Sequence, residues 1–170
     1  MSDRVHEVVH QTEIPFHPKR VICIPVDESD SSKYVIDWAM KTLIQKDSDE
    51  VLLLHCRSIA IDAAMSIESG FVLPAQYYDE IEDAAKQNSF ALLKSFGKLL
   101  QDNGVHCKAI SLRGSPREEL ELKINRSAPD MVVMGSRGLG AFSSVLLGSV
   151  SQHLVHHSKV PVLIVPQLVK

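Results

Sequence analysis

Residues 131–151 read Met-Val-Val-Met-Gly-Ser-Arg-Gly-Leu-Gly-Ala-Phe-Ser-Ser-Val-Leu-Leu-Gly-Ser-Val-Ser, and this stretch decides the predicted fold. Its first four residues are apolar and predict a short buried strand, after which a glycine-rich segment begins. Glycine lets the backbone turn sharply and lets a ligand approach it closely. A turn of this kind between a strand and a helix exposes N–H groups that suit phosphate oxygens. The stretch therefore predicts an anion-binding site.

Apolar runs alternate with helical patterns along the rest of the chain. In the first helical segment, Ile36, Ala39, Met40 and Leu43 share one face, and similar stripes follow. This alternation favours a single α/β domain, an open parallel five-stranded sheet with helices on both faces, as in Rossmann-like folds. The predicted strands are residues 20–26, 51–56, 105–112, 131–134 and 160–165.

The domain is expected to span residues 19–168. Residues 1–18 lack periodicity and are expected to form a flexible N-terminal arm. Residues 57–77 form an irregular stretch that is long for a strand-to-helix connection, and such loops are often functional lids or disordered. Ligands of open α/β sheets bind beyond the carboxyl ends of the strands, where the strand order reverses.

The glycine spacing also resembles a known signature. Gly135-x2-Gly138-x9-Gly148-Ser149 is similar to the nucleotide-binding motif of the universal stress protein family, and the resemblance extends over residues 19–166. It implies the strand order 3-2-1-4-5, which puts the reversal between the first and fourth strands. It also implies an adenine nucleotide, most often ATP, as the ligand.

The residue types at this crevice suit a nucleotide. Backbone N–H groups of the glycine turn and of the following helix start can surround phosphates, and the hydroxyls of Ser149 and Ser151 add donors. Asp27 can accept from ribose hydroxyls or position a metal. The resemblance matches Pro25-Val26-Asp27 to the family's Pro-x-Asp, Cys56 to a backbone contact with adenine, and Met134-Gly135 to the base and ribose. The predicted nucleotide-binding residues are Pro25, Val26, Asp27, Cys56, Met134, Gly135, Ser136, Arg137, Gly138, Gly148, Ser149, Val150 and Ser151.

Catalytic machinery is not evident. No lysine follows the glycines as in a Walker A loop, and no base is placed to activate water. The charge of ATP would then depend on backbone amides, on Mg²⁺ and on Arg137, which is either a phosphate contact or a solvated charge. We therefore expect an ATP-binding stress-response protein that senses or signals with little turnover. A slow Mg-dependent ATP hydrolase and an adaptor that no longer binds nucleotide are the alternatives.

Two other groups of residues, histidines and cysteines, have the residue types of metal or disulfide sites. His153 and His157 lie four residues apart, as metal-binding pairs do, but a third ligand is not evident, so no metal site is predicted. The odd number of cysteines, Cys23, Cys56 and Cys107, disfavours a disulfide framework and fits buried thiols in a reducing compartment.

The composition argues against some classes of binding partner. The chain has 170 residues and a net charge of −3 without blocks of like charge, which argues against nucleic acid. No apolar run approaches the roughly 18 residues needed to span a membrane, and the N-terminus lacks an apolar signal core, so a cytoplasmic location is expected. The last strand, Val162–Val165, is an apolar edge in the implied order, and we expect a homodimer to pair through it. The signalling partner is not identified by any motif.

Overall fold

The computed structural model describes residues 6–12, 16–58, 75–136 and 147–166. Its strands are β1 (His6–Gln11), β2 (Arg20–Pro25), β3 (Asp49–Arg57), β4 (His106–Arg113), β5 (Met131–Gly135) and β6 (Val162–Val165). Its helices are α1 (Asp30–Thr42), α2 (Ala75–Asp102), α3 (Pro116–Ser127) and α4 (Ser149–His157).

These strands form one sheet with the order β1-β4-β3-β2-β5-β6. Strand β2 pairs in parallel with β3 on one side and with β5 on the other. The pairs β3–β4 and β5–β6 are also parallel. The α/β class is confirmed, as is the order predicted for β2 to β6, with its reversal between β2 and β5.

The sheet also has a sixth strand. Strand β1 pairs antiparallel with β4, with an irregularity between Val8 and His10. Its Glu7 carboxylate lies 3.1 Å from Arg57 Nη2 and 2.7 Å from Lys86 Nζ, so ion pairs as well as the backbone ladder hold it. The expectation of a flexible arm was wrong for residues 6–11, because these long-range partners cannot be read from the local sequence.

Helices cover both faces of the sheet. Successive residues of β2 point to opposite sides, so Ile22 and Ile24 belong to one core cluster and Cys23 to the other. The first cluster includes side chains of α1 and α2, and the second includes side chains of α3 and α4. Buried parallel strands are apolar on both faces for this reason. The carboxyl ends of the strands are thus the open side of the sheet.

Helix starts carry the polar residues nearest to those ends. Ser29 is the N-cap of α1, and its side chain accepts from the Ser32 N–H. Gly148 is the N-cap of α4, and no side chain caps this helix start. The sequence-predicted loop 57–77 falls mostly on residues 59–74, which lie outside the described residues. Within the described parts of the chain, no helix combines the length and apolar character needed to cross a membrane.

Candidate functional site

A cavity of about 710 Å³ opens where β2, β3 and β5 end and α4 begins. Its volume is within the range of small-molecule binding sites in proteins. Apolar walls come from side chains such as Val26, Leu120 and Met134, and polar groups come from the strand ends and helix starts. The position is the one expected for ligands of an open α/β sheet, at the reversal of strand order.

Most of the predicted site residues meet at this cavity. Those that line it are Pro25, Val26, Asp27, Cys56, Met134, Gly135, Gly148, Ser149, Val150 and Ser151. Ser136 stands just behind the lining residues, and its carbonyl accepts a 2.7 Å hydrogen bond from the Gly148 N–H. Arg137 and Gly138 lie outside the described residues. The structure therefore brings the end of β2 and the two bends flanking the glycine-rich segment to one place.

Hydrogen bonds join the end of β5 to the start of α4. Besides the Gly148–Ser136 bond, Ser151 Oγ donates to the Gly135 carbonyl at 2.9 Å. The hydroxyl proton of Ser151 is thus used within the protein, which differs from the donor role predicted for it. Gly148 makes no side-chain cap, and the N-terminal turn of a helix attracts anions through its N–H groups and dipole. This end of the cavity suits phosphate.

The opposite wall is acidic. Asp27 follows β2, and its Oδ1 accepts from the Ser29 N–H at 3.0 Å, from Ser32 Oγ at 2.7 Å and from Ser29 Oγ. Its own N–H donates to Ser32 Oγ at 2.8 Å, so the turn into α1 fixes the carboxylate. Ser31 lines the cavity beside it, and its buried hydroxyl has no hydrogen-bond partner in the described structure. Orphaned buried hydroxyls of this kind suit a polar ligand.

His55, at the end of β3, was not anticipated from the sequence. It lines the cavity and is 7% exposed. Its Nδ1 lies 2.8 Å from Ser89 Oγ, which lies 2.7 Å from Ser111 Oγ. Burial lowers the pKa of His55, against the opposing effect of the carboxylates of Glu28 and Asp27. The imidazole is therefore neutral near pH 7. The available signal was a polar residue at the carboxyl end of an otherwise apolar strand.

Arg57 was missed as well. Its guanidinium is 6% exposed, pairs with Glu82 and with Glu7, and lines the same cavity. Glu82 Oε1 also accepts from Arg113 Nε at 2.7 Å. A buried guanidinium needs such partners because an unpaired buried charge is costly. This network joins the cavity wall to β1 and α2.

The cysteines are free thiols. Cys56 lines the cavity, and burial raises the pKa of its thiol to about 12. Burial likewise raises the pKa of Cys107 to about 11 and raises that of Cys23. All three are protonated near neutral pH, so their side chains pack as small apolar groups.

The histidines of α4 make protein contacts. His153 Nε2 lies 2.7 Å from Glu121 Oε2, and the rings of His153 and His157 stack at 4.2 Å. In the part of the chain that the structure describes, no group of three or more His, Cys, Asp or Glu side chains is placed to hold a metal. His153 therefore joins α4 to α3, and His157 packs on His153 within α4.

Similar sequences come from distant organisms. The Universal stress protein A-like protein of Arabidopsis thaliana is 30% identical over 135 residues, which is 78% of this chain and 77% of that protein. Universal stress protein Sll1388 of Synechocystis sp. is 31% identical over 150 residues, covering 85% and 96% of the two chains.

Solved structures share the fold. The structure of protein MJ0577, from Methanocaldococcus jannaschii, superimposes with a TM-score of 0.72 and 25% identity, covering 89% of this chain and 98% of that one. An Arabidopsis thaliana family protein with AMP bound gives a TM-score of 0.64 at 22% identity, covering 88% and 92%. A universal stress protein in complex with cAMP gives 0.56 at 22% identity, covering 86% and 95%. The model of the Universal stress protein family matches residues 19–166, and the chain belongs to that family.

Proposed function

We propose that this chain is an ATP-binding stress-response protein that acts in the cytoplasm as a homodimeric sensor or signalling module with little turnover. One observation carries the proposal: the start of α4, which has no side-chain cap, is hydrogen-bonded to the end of β5 and lines the same cavity as Asp27. The AMP and cAMP in the two structural neighbours support an adenine nucleotide as the ligand class.

The charge distribution orients such a ligand. Phosphates belong at the N-terminal turn of α4, where backbone N–H groups and the helix dipole favour anions. They are repelled from the wall formed by Asp27 and Glu28. A sugar, which donates through its hydroxyls, suits that acidic wall. The apolar surfaces of Val26, Leu120 and Met134 suit a flat base between the sheet and α3.

Binding is favoured over hydrolysis. No lysine is found among the described residues that line the cavity, so phosphate charge must be met by amides and by a cation. Mg²⁺ prefers oxygen ligands and is commonly held by one or two carboxylates together with substrate phosphates. Asp27 is the carboxylate that would share such an ion with the phosphates, and the ion would offset the repulsion between them. When bound, the ion would add positive charge beside the phosphates, because the guanidinium of Arg57 in the cavity wall is already paired with Glu82 and Glu7.

Ser149→Asp tests the phosphate end. A carboxylate in the first turn of a helix favours the helix but repels a phosphate, so stability is kept while binding is lost. We expect titration calorimetry with ATP and Mg²⁺ to show binding by the wild type and a loss of roughly 100-fold in the variant. Ser115→Asp is the matched control, because Ser115 is the N-cap of α3 and does not line the main cavity. The ATP affinity of this variant should change little. Equal ATP affinity of Ser149→Asp and wild type, or no binding by the wild type, would reject the proposal.

A second copy of this chain is the proposed partner at β6. The strand lies at the edge of the sheet and exposes its backbone groups on one side. Leu163 on β6 and Val155 on the neighbouring α4 are large apolar side chains that remain exposed. Pairing β6 with β6 across a two-fold axis would cover both.

A further inference from the structure

We propose that His55 and Glu28 together recognise the sugar hydroxyls of the ligand, which makes the site selective for ribonucleotides over deoxyribonucleotides. The inference rests on the proposed nucleotide binding and adds two specificity-determining residues to it. Both side chains line the cavity, one from β3 and the other from the turn after β2.

The imidazole of His55 is anchored on one side only. Its Nδ1 is bonded to Ser89, and Ser89 to Ser111, and both serines are completely buried. Its Nε2 makes no hydrogen bond to any described residue, although the residue is 7% exposed. This nitrogen is not enclosed by protein, so it is open to a hydrogen bond with a ligand in the cavity. The unsatisfied nitrogen belongs to a residue that lines the cavity.

Glu28 stands opposite this nitrogen. Its Oε1 lies 3.7 Å from His55 Nε2, which is too far for a direct hydrogen bond. A hydroxyl placed at both atoms can donate its one proton to the carboxylate and accept from Nε2–H, in the tautomer in which Nδ1 accepts from Ser89. A phosphate oxygen at this place would be repelled by the carboxylates of Asp27 and Glu28. A carbonyl would also fit poorly, because it has no proton to donate to Glu28. The pair therefore selects a hydroxyl.

The sheet order puts this pair where a sugar would lie. Strand β2 lies between β5, which leads to the phosphate end, and β3, which carries His55. A nucleotide with its phosphates at α4 extends its sugar toward the end of β2 and then toward β3. Glu28, His55 and Ser89 also occur in the order of an acid, base and nucleophile. Ser89, however, is fully buried and bonded to Ser111, so it is positioned as an anchor.

Two substitutions of His55 separate the ligand role from the structural role. The amide nitrogen of asparagine stands near the position of Nδ1, so His55→Asn keeps the Ser89 contact and loses the cavity-facing atom. That of glutamine stands near Nε2, so His55→Gln does the reverse. The affinities of each variant for ATP, 2′-deoxy-ATP, 3′-deoxy-ATP and GTP are measured by calorimetry, and thermal melts report stability.

We expect the wild type to prefer ATP to at least one deoxynucleotide by roughly 10-fold or more, as for the loss of a hydrogen bond to a charged group. His55→Gln should keep the ratio of ATP affinity to deoxynucleotide affinity but lower the melting temperature. His55→Asn should bring that ratio close to one and should melt at the wild-type temperature. Glu28→Gln, at a half-exposed position, should also reduce the ratio without unfolding the chain.

Equal wild-type affinities for ATP and both deoxynucleotides would overturn this inference and leave nucleotide binding intact. So would a His55→Asn variant that changes the ATP-to-GTP ratio but not the ratio of ribo to deoxy forms. No binding of any of the four nucleotides by the wild type would instead reject the proposed function itself, and this inference with it.

Discussion

The two edges of the sheet end in different ways. Strand β1 closes one edge with six residues, of which only Val8 and Val9 are apolar, and its Glu7 is paired with Arg57 and Lys86. Strand β6 forms the other edge with four apolar residues, and Leu163 is 38% exposed. One edge is thus held by charges from within the chain, and the other presents an apolar strand. Exposed apolar edges invite pairing, so the contrast favours β6 as the edge for the homodimer proposed above.

Glu82→Gln should break the closed edge most severely. Glu82 Oε1 accepts from both Arg57 and Arg113, and the substitution leaves the buried Arg57 with Glu7 alone. Removing one partner of a buried ion pair costs about 3 kcal/mol or more, and we expect urea denaturation to show a loss of about 3 kcal/mol. Asp102→Asn removes an exposed partner of Lys98 and should cost less than about 0.5 kcal/mol. Equal losses in the two variants would mean that the Arg57 network does not hold β1.

Leu163→Glu should break the open edge. If two copies pair through β6, the substitution brings like charges together across the two-fold axis and weakens the dimer by about 2 kcal/mol, or roughly 30-fold in its dissociation constant. Sedimentation equilibrium measures this. Val8→Glu is the matched control on β1, where the side chain is 55% exposed, and it should leave the oligomeric state unchanged. The edge assignment would be reversed if Val8→Glu dissociated the dimer and Leu163→Glu did not.

Gly97→Ala sharpens the account of how β1 packs on α2. A methyl group at Gly97 would lie 2.7 Å from His10 Cδ2, so the ring or the strand must move. Overpacking costs about 1 to 3 kcal/mol, and alanine in a helix interior returns about 1, so we expect a net loss of about 1 kcal/mol. In a His10→Ala background the clash is absent, and the same change should stabilise the protein. Denaturation of the wild type and the three variants gives the double-mutant cycle, and a destabilising effect of Gly97→Ala in both backgrounds would show that His10 does not pack on Gly97.

Acidification should lower the stability of the protein through Asp49, on the central strand β3. Of the four changes in stability or association predicted in this Discussion, this is the smallest. Burial would raise the pKa of Asp49, but hydrogen bonds from Arg20 and from the Gln45 N–H outweigh it and lower that pKa. The resulting stabilisation is complete above about pH 4 and is lost as the pH falls through the lowered folded-state pKa. The stability curves of wild type and Asp49→Asn should therefore converge on acidification, whereas parallel curves would assign no role to this carboxylate.

The sequence predicted the parts of the fold that depend on local pattern. Runs such as 131–134 are apolar because both faces of a parallel strand are buried, and the order of β2 to β6 followed from the family resemblance. Strand β1 was missed because Glu7 finds its partner Arg57 at a distance of 50 residues along the chain. Its own residues give only a weak strand signal.

The site residues show the same distinction between local sequence patterns and contacts with distant parts of the chain. Gly135, Gly148 and Asp27 were predictable because strand ends and helix starts use characteristic residues, and the cavity is built from them. His55 and Arg57 were not, because their roles depend on Ser89 and Glu82, which α2 brings to them from far along the chain. For the same reason the local sequence could not show that the proton of Ser151 is already used by the Gly135 carbonyl.

The thiol of Cys56 has one further consequence. With its pKa raised by burial to about 12, this group stays almost entirely a protonated thiol at pH 7. Peroxides and electrophiles react with thiolates, so this wall of the cavity is chemically quiet while a cell is under oxidative attack. In the signalling role proposed above, reversible occupancy of the pocket would therefore persist when exposed cysteines elsewhere in the cell have been oxidised.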